Sequence, residues 1–240
     1  MERSAPPRPD REDQHNGLAY ALWLPQAVPP PWPGVVVVHG ASSRKENHAD
    51  FARLANAGGW AALTFDLPGH ADSDRLFTGA AVEDVIGMVD LLAVQPGVDA
   101  RRVAVRGSSL GGFLAICAAA AAPDIAGLIA ICPASGDHLA RGVRRGRFEM
   151  RVGDPLDLEA WLAAQDIHDA VERISGRPLI LMHAEGDNQI PSDHSAELYE
   201  HAGEPRKLII VPGGAHTTVQ HDPELQSIAL RWLERQLEAG

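Results

Sequence analysis

The sequence predicts an α/β fold built on a mostly parallel central sheet with helices on both faces. Three observations support this prediction. The chain has 240 residues and is 45% hydrophobic, enough for a sizeable core. Its apolar runs alternate with helix-like segments, which implies right-handed crossovers between parallel strands. One run, VVVVH at 35–39, has no polar alternation, as is typical of a strand buried on both faces.

Strands are predicted where Val, Ile, Leu or aromatic residues cluster between turn-forming residues. The first, GLAYALWLP, alternates weakly and ends at Pro25, and the Pro-rich stretch 29–33 is a stiff connector to the second. The predicted strands are 17–25, 35–39, 60–66, 102–106, 127–132, 178–183 and 207–211.

Helices are predicted where apolar residues recur every three or four positions. The clearest example is the stripe formed by Val82, Val85, Ile86, Val89 and Leu92. The predicted helices are 47–57, 80–94, 110–122, 192–202 and 223–237.

Two segments depart from this alternation. Residues 1–16 are charged and Pro-rich, which predicts a disordered tail before a single domain over 17–240. About forty residues, 134–176, separate two strands where a crossover needs far fewer. We expect this segment to hold a small lid insertion over the carboxyl edge of the sheet, together with the regular crossover helix.

Composition excludes several classes of function. The 21 basic and 32 acidic residues give a net charge of −11, which argues against nucleic-acid binding and against docking on anionic membranes. The N-terminus has no apolar signal region, and no apolar run is long enough to span a bilayer, so a cytoplasmic protein is expected. Cys117 and Cys132 lie in apolar runs and are expected to be buried, reduced thiols.

The stretch VAVRGSSLGGFLAI, residues 103–116, places two serines between a strand and a helix. A sharp turn there forces one residue into a strained backbone conformation and leaves little room two residues before and after it. Ser109 has Gly107 and Gly111 at those positions, whereas Ser108 does not. The spacing therefore predicts that Ser109, rather than Ser108, lies at the tip of the turn.

This G-x-S-x-G elbow, between a β-branched strand and an apolar helix, resembles that of the α/β-hydrolase family, and the resemblance extends over about 17–238. The resemblance is to esterase-, thioesterase- and serine aminopeptidase-like members. It implies a chain order of nucleophile, acid, histidine. Asp187, in AEGDNQIP, matches the family's G-x-x-D-x-x-V-P loop, although Ala184 replaces the first Gly and Glu185 is an alternative acid. His216, in PGGAHTT, is the expected base, with His221 less suitably placed.

The resemblance also implies an oxyanion hole made of two backbone N–H groups. One belongs to Leu110, at the start of the helix after Ser109. The other is expected from Ala41 in the HGAS stretch, with Ser42 as the alternative donor and as a candidate substrate-binding residue. The segment FDLPGHADSD resembles the family's D-x-x-G-H-G-x-S, and there Asp66 and His70 are interpreted as loop-fixing residues, although His70 could line the pocket.

Five arginines lie in ARGVRRGRFEMR, residues 140–151, in an otherwise acidic chain. One interpretation is a solvated face of the lid. The alternative is that Arg144 and Arg145 bind a carboxylate or phosphate of the substrate, because Arg binds such groups bidentately.

Together these features predict a serine hydrolase that cleaves a small carboxylic ester through an acyl-serine intermediate. A thioesterase or amide hydrolase using the same triad, and a non-catalytic ligand-binding member of the fold, are the alternatives. No cofactor, metal, nucleic acid or membrane is implied. The expected partner is a small acyl substrate, and the protein is expected to be a monomer or homodimer.

Overall fold

Eight strands form one sheet in residues 6–239, the part of the chain that the computed structural model describes. Their order across the sheet is β1-β2-β4-β3-β5-β6-β7-β8. The strands are β1 Arg11–His15, β2 Leu18–Trp23, β3 Trp32–Val38, β4 Ala61–Phe65, β5 Val98–Ser108, β6 Leu128–Ile131, β7 Leu179–Ala184 and β8 Arg206–Val211.

Helices connect most of these strands. They are α1 Ala49–Ala57, α2 Ala81–Ala93, α3 Leu110–Ala121, α4 Gly136–Arg144, α5 Pro155–Ala163, α6 Ile167–Arg173, α7 Asp193–His201, α8 Thr218–His221 and α9 Pro223–Ala239. A 3₁₀ helix, Lys45–His48, precedes α1. Within the described range, none of the helices is both long enough and apolar enough to cross a bilayer.

The pairing of strands agrees with the predicted fold class. Strands β3 to β8 pair in parallel, whereas β1 with β2 and β2 with β4 pair antiparallel. β3 lies between β4 and β5, so that Val36 is opposite both Leu63 and Val105. This central position explains the uninterrupted valine run, because neither face of the strand meets water.

The core lies in two layers, one on each face of the sheet. Alternate residues of β3 point to opposite layers, with Val36 and Val38 in one and Val35 and Val37 in the other. Helices α2, α3 and α6 cover the first layer, and α1 and α9 cover the second. The carboxyl ends of β3, β5, β7 and β8 therefore meet at one edge of a sheet that is covered on both faces.

The prediction of a disordered tail over 1–16 is wrong for residues 11–15. These residues form β1, which pairs with β2 from Arg11 opposite Leu22 to His15 opposite Leu18. Asn16 and Gly17 make the two-residue turn, both with positive φ, 50° and 77°. An Asn-Gly pair is a strong hairpin signal, but the charged edge strand lacks the apolar alternation on which the prediction was based. Residues 1–5 lie outside the described residues.

The segment 134–176 contains α4, α5 and α6. α6 packs against α3 and α7 and so takes the place of a crossover helix between β6 and β7. The connection between α4 and α5 lies against other loops, because Arg151 N–H donates to Gly69 O over 2.9 Å and Phe77 N–H donates to Arg151 O over 2.9 Å.

The turn from β5 to α3 is tightly packed at its two flanking glycines. A Cβ on Gly107 would lie 2.1 Å from Gly111 O, and a Cβ on Gly111 would lie 2.2 Å from Val38 O. These neighbours are backbone atoms of the turn itself and of β3, so they cannot move without displacing the sheet. No side chain therefore fits at position 107 or at position 111, two residues on either side of Ser109.

We expect Gly111→Ala to lower the free energy of unfolding by roughly 1–3 kcal/mol or more, because the new methyl overlaps backbone atoms of β3. Thermal unfolding followed by circular dichroism measures the effect.

Gly87→Ala is the matched control, because a Cβ at Gly87, inside α2, has no atom within 4 Å. There the same change should be neutral or stabilise the protein by about 1 kcal/mol, from helix propensity alone. Equal melting temperatures for the two variants would contradict the steric account.

Candidate active site

Ser109 lies at the tip of the β5–α3 turn in a strained backbone conformation, with φ 55° and ψ −117°. Its N–H donates to Ile131 O over 2.9 Å, and its carbonyl accepts from Phe113 N–H over 3.0 Å, so hydrogen bonds hold the turn in place. Ser109 is partly exposed and lines a cavity. Ser108 is buried, and its hydroxyl has no hydrogen-bond partner among the described residues.

Asp187 and His216 come together from the loops after β7 and β8. Asp187 Oδ2 lies 2.6 Å from His216 Nδ1. Because an ionised carboxylate only accepts hydrogen bonds, Nδ1 carries the proton and Nε2 is the nitrogen available to a substrate or nucleophile. His216 lines the same cavity as Ser109. Among the described residues no hydrogen bond joins Ser109 to His216. In enzymes, the hydrogen bond between a nucleophile and its base is often long before substrate binds.

Glycines allow the loop that carries Asp187 and the loop that carries His216 to touch. Gly186 N–H donates to Gly213 O over 2.9 Å, and a Cβ on Gly186 would lie 2.4 Å from Gly214 O. Gly213 and Gly214 both have positive φ, 67° and 72°. The glycines at 186 and 213–214 therefore let the two loops approach closely enough for the carboxylate to reach the imidazole.

The Asp187 carboxylate is held by several donors. Its Oδ1 accepts from the N–H groups of Gln189 and Ile190, over 2.8 and 3.0 Å. Burial alone would raise the pKa of Asp187, but the hydrogen bonds from His216, Ile190 and Gln189 outweigh burial and leave that pKa below its ordinary value. Asp187 is therefore ionised at neutral pH, as a group that orients an imidazole must be.

The loop at 39–42 lies beside Ser109. His39 connects the 39–42 loop to the loop after β4. Its Nδ1–H donates to Gly40 O over 2.7 Å, and its Nε2 accepts from Leu67 N–H over 2.9 Å. Burial, with further contributions from His70 and Lys45, lowers the pKa of His39 to about 3, so its ring is neutral and keeps this tautomer. Ala41 lines the Ser109 cavity. Leu110, as the first residue of α3, has an N–H without a partner inside the helix.

The cavity beside Ser109, called here the Ser109 cavity, has a volume of about 730 Å³. Most of its lining side chains are polar. They are Gly40, Ala41, Ser42, Ser43, Asn47, Ser109, His138, Arg147, Phe148, Asn188, Gln189, His216, Thr217, Gln220 and His221. A groove of about 840 Å³ elsewhere on the protein is lined by no serine, cysteine or histidine, so of these two cavities the Ser109 cavity is the one suited to nucleophilic chemistry.

The structure places the predicted arginines differently. Arg144 pairs with Glu159 of α5, and neither Arg144 nor Arg145 lines the Ser109 cavity. Arg147 lines it instead, because α4 ends at Arg144 and the chain turns at Gly146, where φ is 58°. The Arg-rich composition indicated the segment, but the residue facing the cavity depends on where the helix ends.

Ser42 and His70 have different positions. Ser42 lines the Ser109 cavity, has a φ of 59°, and accepts a hydrogen bond from Glu149 N–H over 2.8 Å. His70 is 2% exposed, does not line that cavity, and packs edge-on against the ring of His39 at 4.9 Å. His70 therefore packs between loops and does not contribute to the lining of the Ser109 cavity.

Sequence reasoning missed His183 as a neighbour of the acid. His183 Nε2 lies 3.2 Å from Asp187 Oδ2 and 3.0 Å from Ile190 O, while Nδ1 lies 2.7 Å from Ser195 Oγ. The position of His183, at i−4 from Asp187 and near the end of a buried strand, was the available signal.

Comparisons with known proteins show which family and which solved structures the chain is similar to. Residues 70–240 match the family described as the prolyl oligopeptidase family. An uncharacterised protein of Mycobacterium tuberculosis is 25% identical over 221 residues, covering 89% of this chain and 72% of that protein. Est1E from Butyrivibrio proteoclasticus with ferulic acid bound has a TM-score of 0.76 at 21% identity, covering 96% of this chain and 100% of Est1E. The α/β hydrolase GrgF from a Penicillium species has a TM-score of 0.77 at 21% identity, covering 97% and 98%.

Cys132 lies beside the acid without being a plausible nucleophile. It is 1% exposed, and burial raises the pKa of its thiol to about 12. We expect iodoacetamide at pH 8 to leave Cys132 unmodified in the folded protein, because the reactive thiolate is scarce and inaccessible. Peptide mass spectrometry measures the modification.

Unfolding in urea provides the control, since both Cys132 and Cys117 should then react. Rapid alkylation of Cys132 in the folded protein would show that its thiol is available for chemistry.

Proposed function

Since the chain belongs to the prolyl oligopeptidase family and is an α/β-hydrolase enzyme, we propose that it is a serine esterase acting on small, polar carboxylic esters. Ser109 is the nucleophile, His216 the general base and Asp187 the residue that orients His216. The observation that carries the proposal is the 2.6 Å contact between Asp187 and His216 on the cavity that also exposes Ser109.

In the first half-reaction, His216 Nε2 accepts the Ser109 hydroxyl proton while Oγ attacks the carbonyl carbon of the ester. The carbonyl oxygen of the tetrahedral intermediate becomes an anion, which the N–H groups of Ala41 and Leu110 stabilise. His216 then donates its proton to the leaving alkoxide, and the acyl group remains on Ser109.

In the second half-reaction, His216 takes a proton from water as the water oxygen attacks the acyl-serine carbonyl. The second intermediate collapses when the Ser109 oxygen leaves and recovers its proton from His216. The carboxylic acid product departs. Asp187 stays ionised throughout, because its hydrogen bonds hold its pKa below the ordinary value.

The cavity supports a polar substrate. Its lining includes the amide side chains Asn47, Asn188 and Gln189 and the cation Arg147, with Phe148 as an aromatic contact. Long acyl chains would place apolar surface against these groups and leave them without hydrogen bonds. Arg147 adds a preference for a carboxylate on the acyl or leaving group. The solved relative Est1E, with ferulic acid bound, accommodates an aromatic carboxylic acid in the same fold.

Peptide hydrolysis is the second candidate, favoured by the family description itself. The same triad would form an acyl-serine from an amide or a thioester. A panel of aminoacyl anilides, acyl-thioesters and oxygen esters, compared by kcat/KM, separates these activities.

We expect wild-type protein to turn over p-nitrophenyl acetate or butyrate and to be labelled at Ser109 by a fluorophosphonate. Ser109→Ala should lower kcat by about 10⁴-fold or more and abolish labelling, because the nucleophile is lost. Ester hydrolysis is followed by p-nitrophenolate absorbance and labelling by mass spectrometry.

Ser108→Ala is the matched control, since Ser108 precedes Ser109 but is 1% exposed. It should keep both turnover and labelling if it folds. Undiminished turnover in Ser109→Ala, or a label on Ser108, would remove the assignment of the nucleophile.

We expect Arg147→Gln to lower kcat/KM about fivefold to tenfold for an ester carrying a free carboxylate, such as a hemisuccinate, because one charge-assisted hydrogen bond is lost in a partly exposed cavity. A neutral butyrate ester should be hydrolysed as before, and steady-state kinetics on the two esters measures the difference.

Arg145→Gln is the control, because Arg145 lies in the same segment but not on the cavity. The Arg145→Gln substitution should leave kcat/KM unchanged for both esters. If Arg147→Gln lowered kcat/KM equally for both esters, Arg147 would not recognise the charge of the substrate.

A further inference from the structure

A cluster of imidazole and carboxylate groups lies between α6 and α7, and none of its members lines the Ser109 cavity. His168 comes from α6, and His194 and Glu197 come from α7. One nitrogen of each imidazole and one carboxylate oxygen of Glu197 all lie within 4.8 Å of one another. His168 Nε2 and Glu197 Oε2 lie 3.9 Å apart.

The fold brings these groups together from two separate helices. His194 and Glu197 are three residues apart in α7 and so lie on one face of it. His168 faces them from α6, with its ring centroid 5.8 Å from that of His194. The pair formed by His201 Nδ1 and Glu172 Oε1, 2.8 Å apart, flanks the cluster.

One nitrogen of the His194 imidazole lacks any partner within the described residues. His194 Nε2 is buried and makes no hydrogen bond. A buried polar atom without a partner is costly, and its presence calls for an explanation. Burial, with smaller contributions from His168, His183 and His138, lowers the pKa of His194 to about 4, so the ring is neutral at pH 7 and has a lone pair to donate.

From this arrangement we propose that His168, His194 and Glu197 form a zinc site that joins α6 to α7. Two imidazole nitrogens and a carboxylate oxygen are a ligand set that Zn²⁺ takes in tetrahedral geometry, with water as the fourth ligand. Hard cations such as Mg²⁺ and Ca²⁺ prefer all-oxygen sites and are disfavoured.

The ligand atoms must move only a short distance to bind the ion. Zinc–ligand bonds of ~2.0–2.1 Å in a tetrahedron place ligand atoms ~3.4 Å apart, against 3.9 Å for the His168–Glu197 pair. The side chains of His168 and Glu197 are 35% and 66% exposed, so both have room to rotate. The ion would fasten α7, the helix that follows the Asp187 loop, to the last helix of the 134–176 segment.

A second group of ligand-type side chains, Cys132, His183 and Asp187, is less suited to a metal ion. Asp187 Oδ2 already contacts His216, and both nitrogens of His183 already have hydrogen-bond partners. A metal there would have to displace the contact between Asp187 and His216.

The test uses untagged, full-length protein stripped with EDTA and dialysed free of the chelator. Calorimetric titration with Zn²⁺ should give one site per chain, and Co²⁺ should give visible d–d absorption bands of four-coordinate geometry. His168→Gln and His194→Gln should each weaken Zn²⁺ binding by about tenfold or more and remove the Co²⁺ bands. His15→Gln is the matched control, because His15 is on the β1 edge of the sheet.

Circular dichroism in EDTA confirms that each variant is folded, and the Co²⁺ spectrum of the wild type tests the site without any substitution. Absence of Zn²⁺ binding and of the Co²⁺ bands in the wild type would overturn the proposal. Binding that persists at full affinity in both His168→Gln and His194→Gln would overturn it as well, because the ion would then be elsewhere. Ester hydrolysis is not the readout, so the result is independent of the function of Ser109.

Discussion

The candidate site depends first on the close approach of the β5–α3 turn to β3. At Gly111 only a hydrogen atom fits between the turn and the carbonyl of Val38, and at Gly107 only a hydrogen fits against Gly111 itself. That packing holds Ser109 at a φ of 55°, a conformation that costs of the order of 1–3 kcal/mol for a residue with a side chain. The strain is maintained by hydrogen bonds to Ile131 and from Phe113. It turns Ser109 towards the cavity while Ser108 remains buried.

A network of buried polar groups supports the other half of the site. Burial lowers the pKa of His183, so its ring is neutral, accepting from the Ser195 hydroxyl and donating towards Ile190 O and Asp187. Arg106, fully buried in β5, donates to Gln220 O over 2.8 Å and thereby ties the strand that leads to Ser109 to the segment that follows His216. The strand leading to Ser109 and the segment after His216 are thus connected through the core, and both residues line the same cavity.

Patterns that arise from local backbone sterics were readable in the sequence, whereas those that depend on tertiary placement were not. The valine run and the Gly-x-Ser-x-Gly spacing predicted β3, β5 and the exposed position of Ser109, because strand burial and a tight turn restrict residue types directly. The family resemblance added Asp187 and His216, which lie 2.6 Å apart. β1 was missed because an edge strand needs no apolar alternation. Arg144 and Arg145 were named as candidate anion-binding residues, whereas Arg147 lines the cavity, because composition alone does not show where α4 ends and the chain turns.

The 134–176 segment contacts both the wall of the Ser109 cavity and the loop at 40–42. Glu149 N–H donates to Ser42 Oγ, next to the proposed oxyanion donor Ala41, and Arg151 N–H donates to Gly69 O in the adjoining loop. Glu149 and Arg151 are only two and four residues from Arg147 on the cavity wall, so we expect a shift of this segment that opens the cavity to displace the loop at 40–42 as well. Because oxyanion stabilisation is sensitive to the position of its donors, changes that enlarge the cavity through this segment should disturb the transition state more than substrate binding. Asn188 and Gln189 line the cavity without carrying these anchors, so under the proposed function we expect substitutions there to change substrate preference without displacing the loop at 40–42.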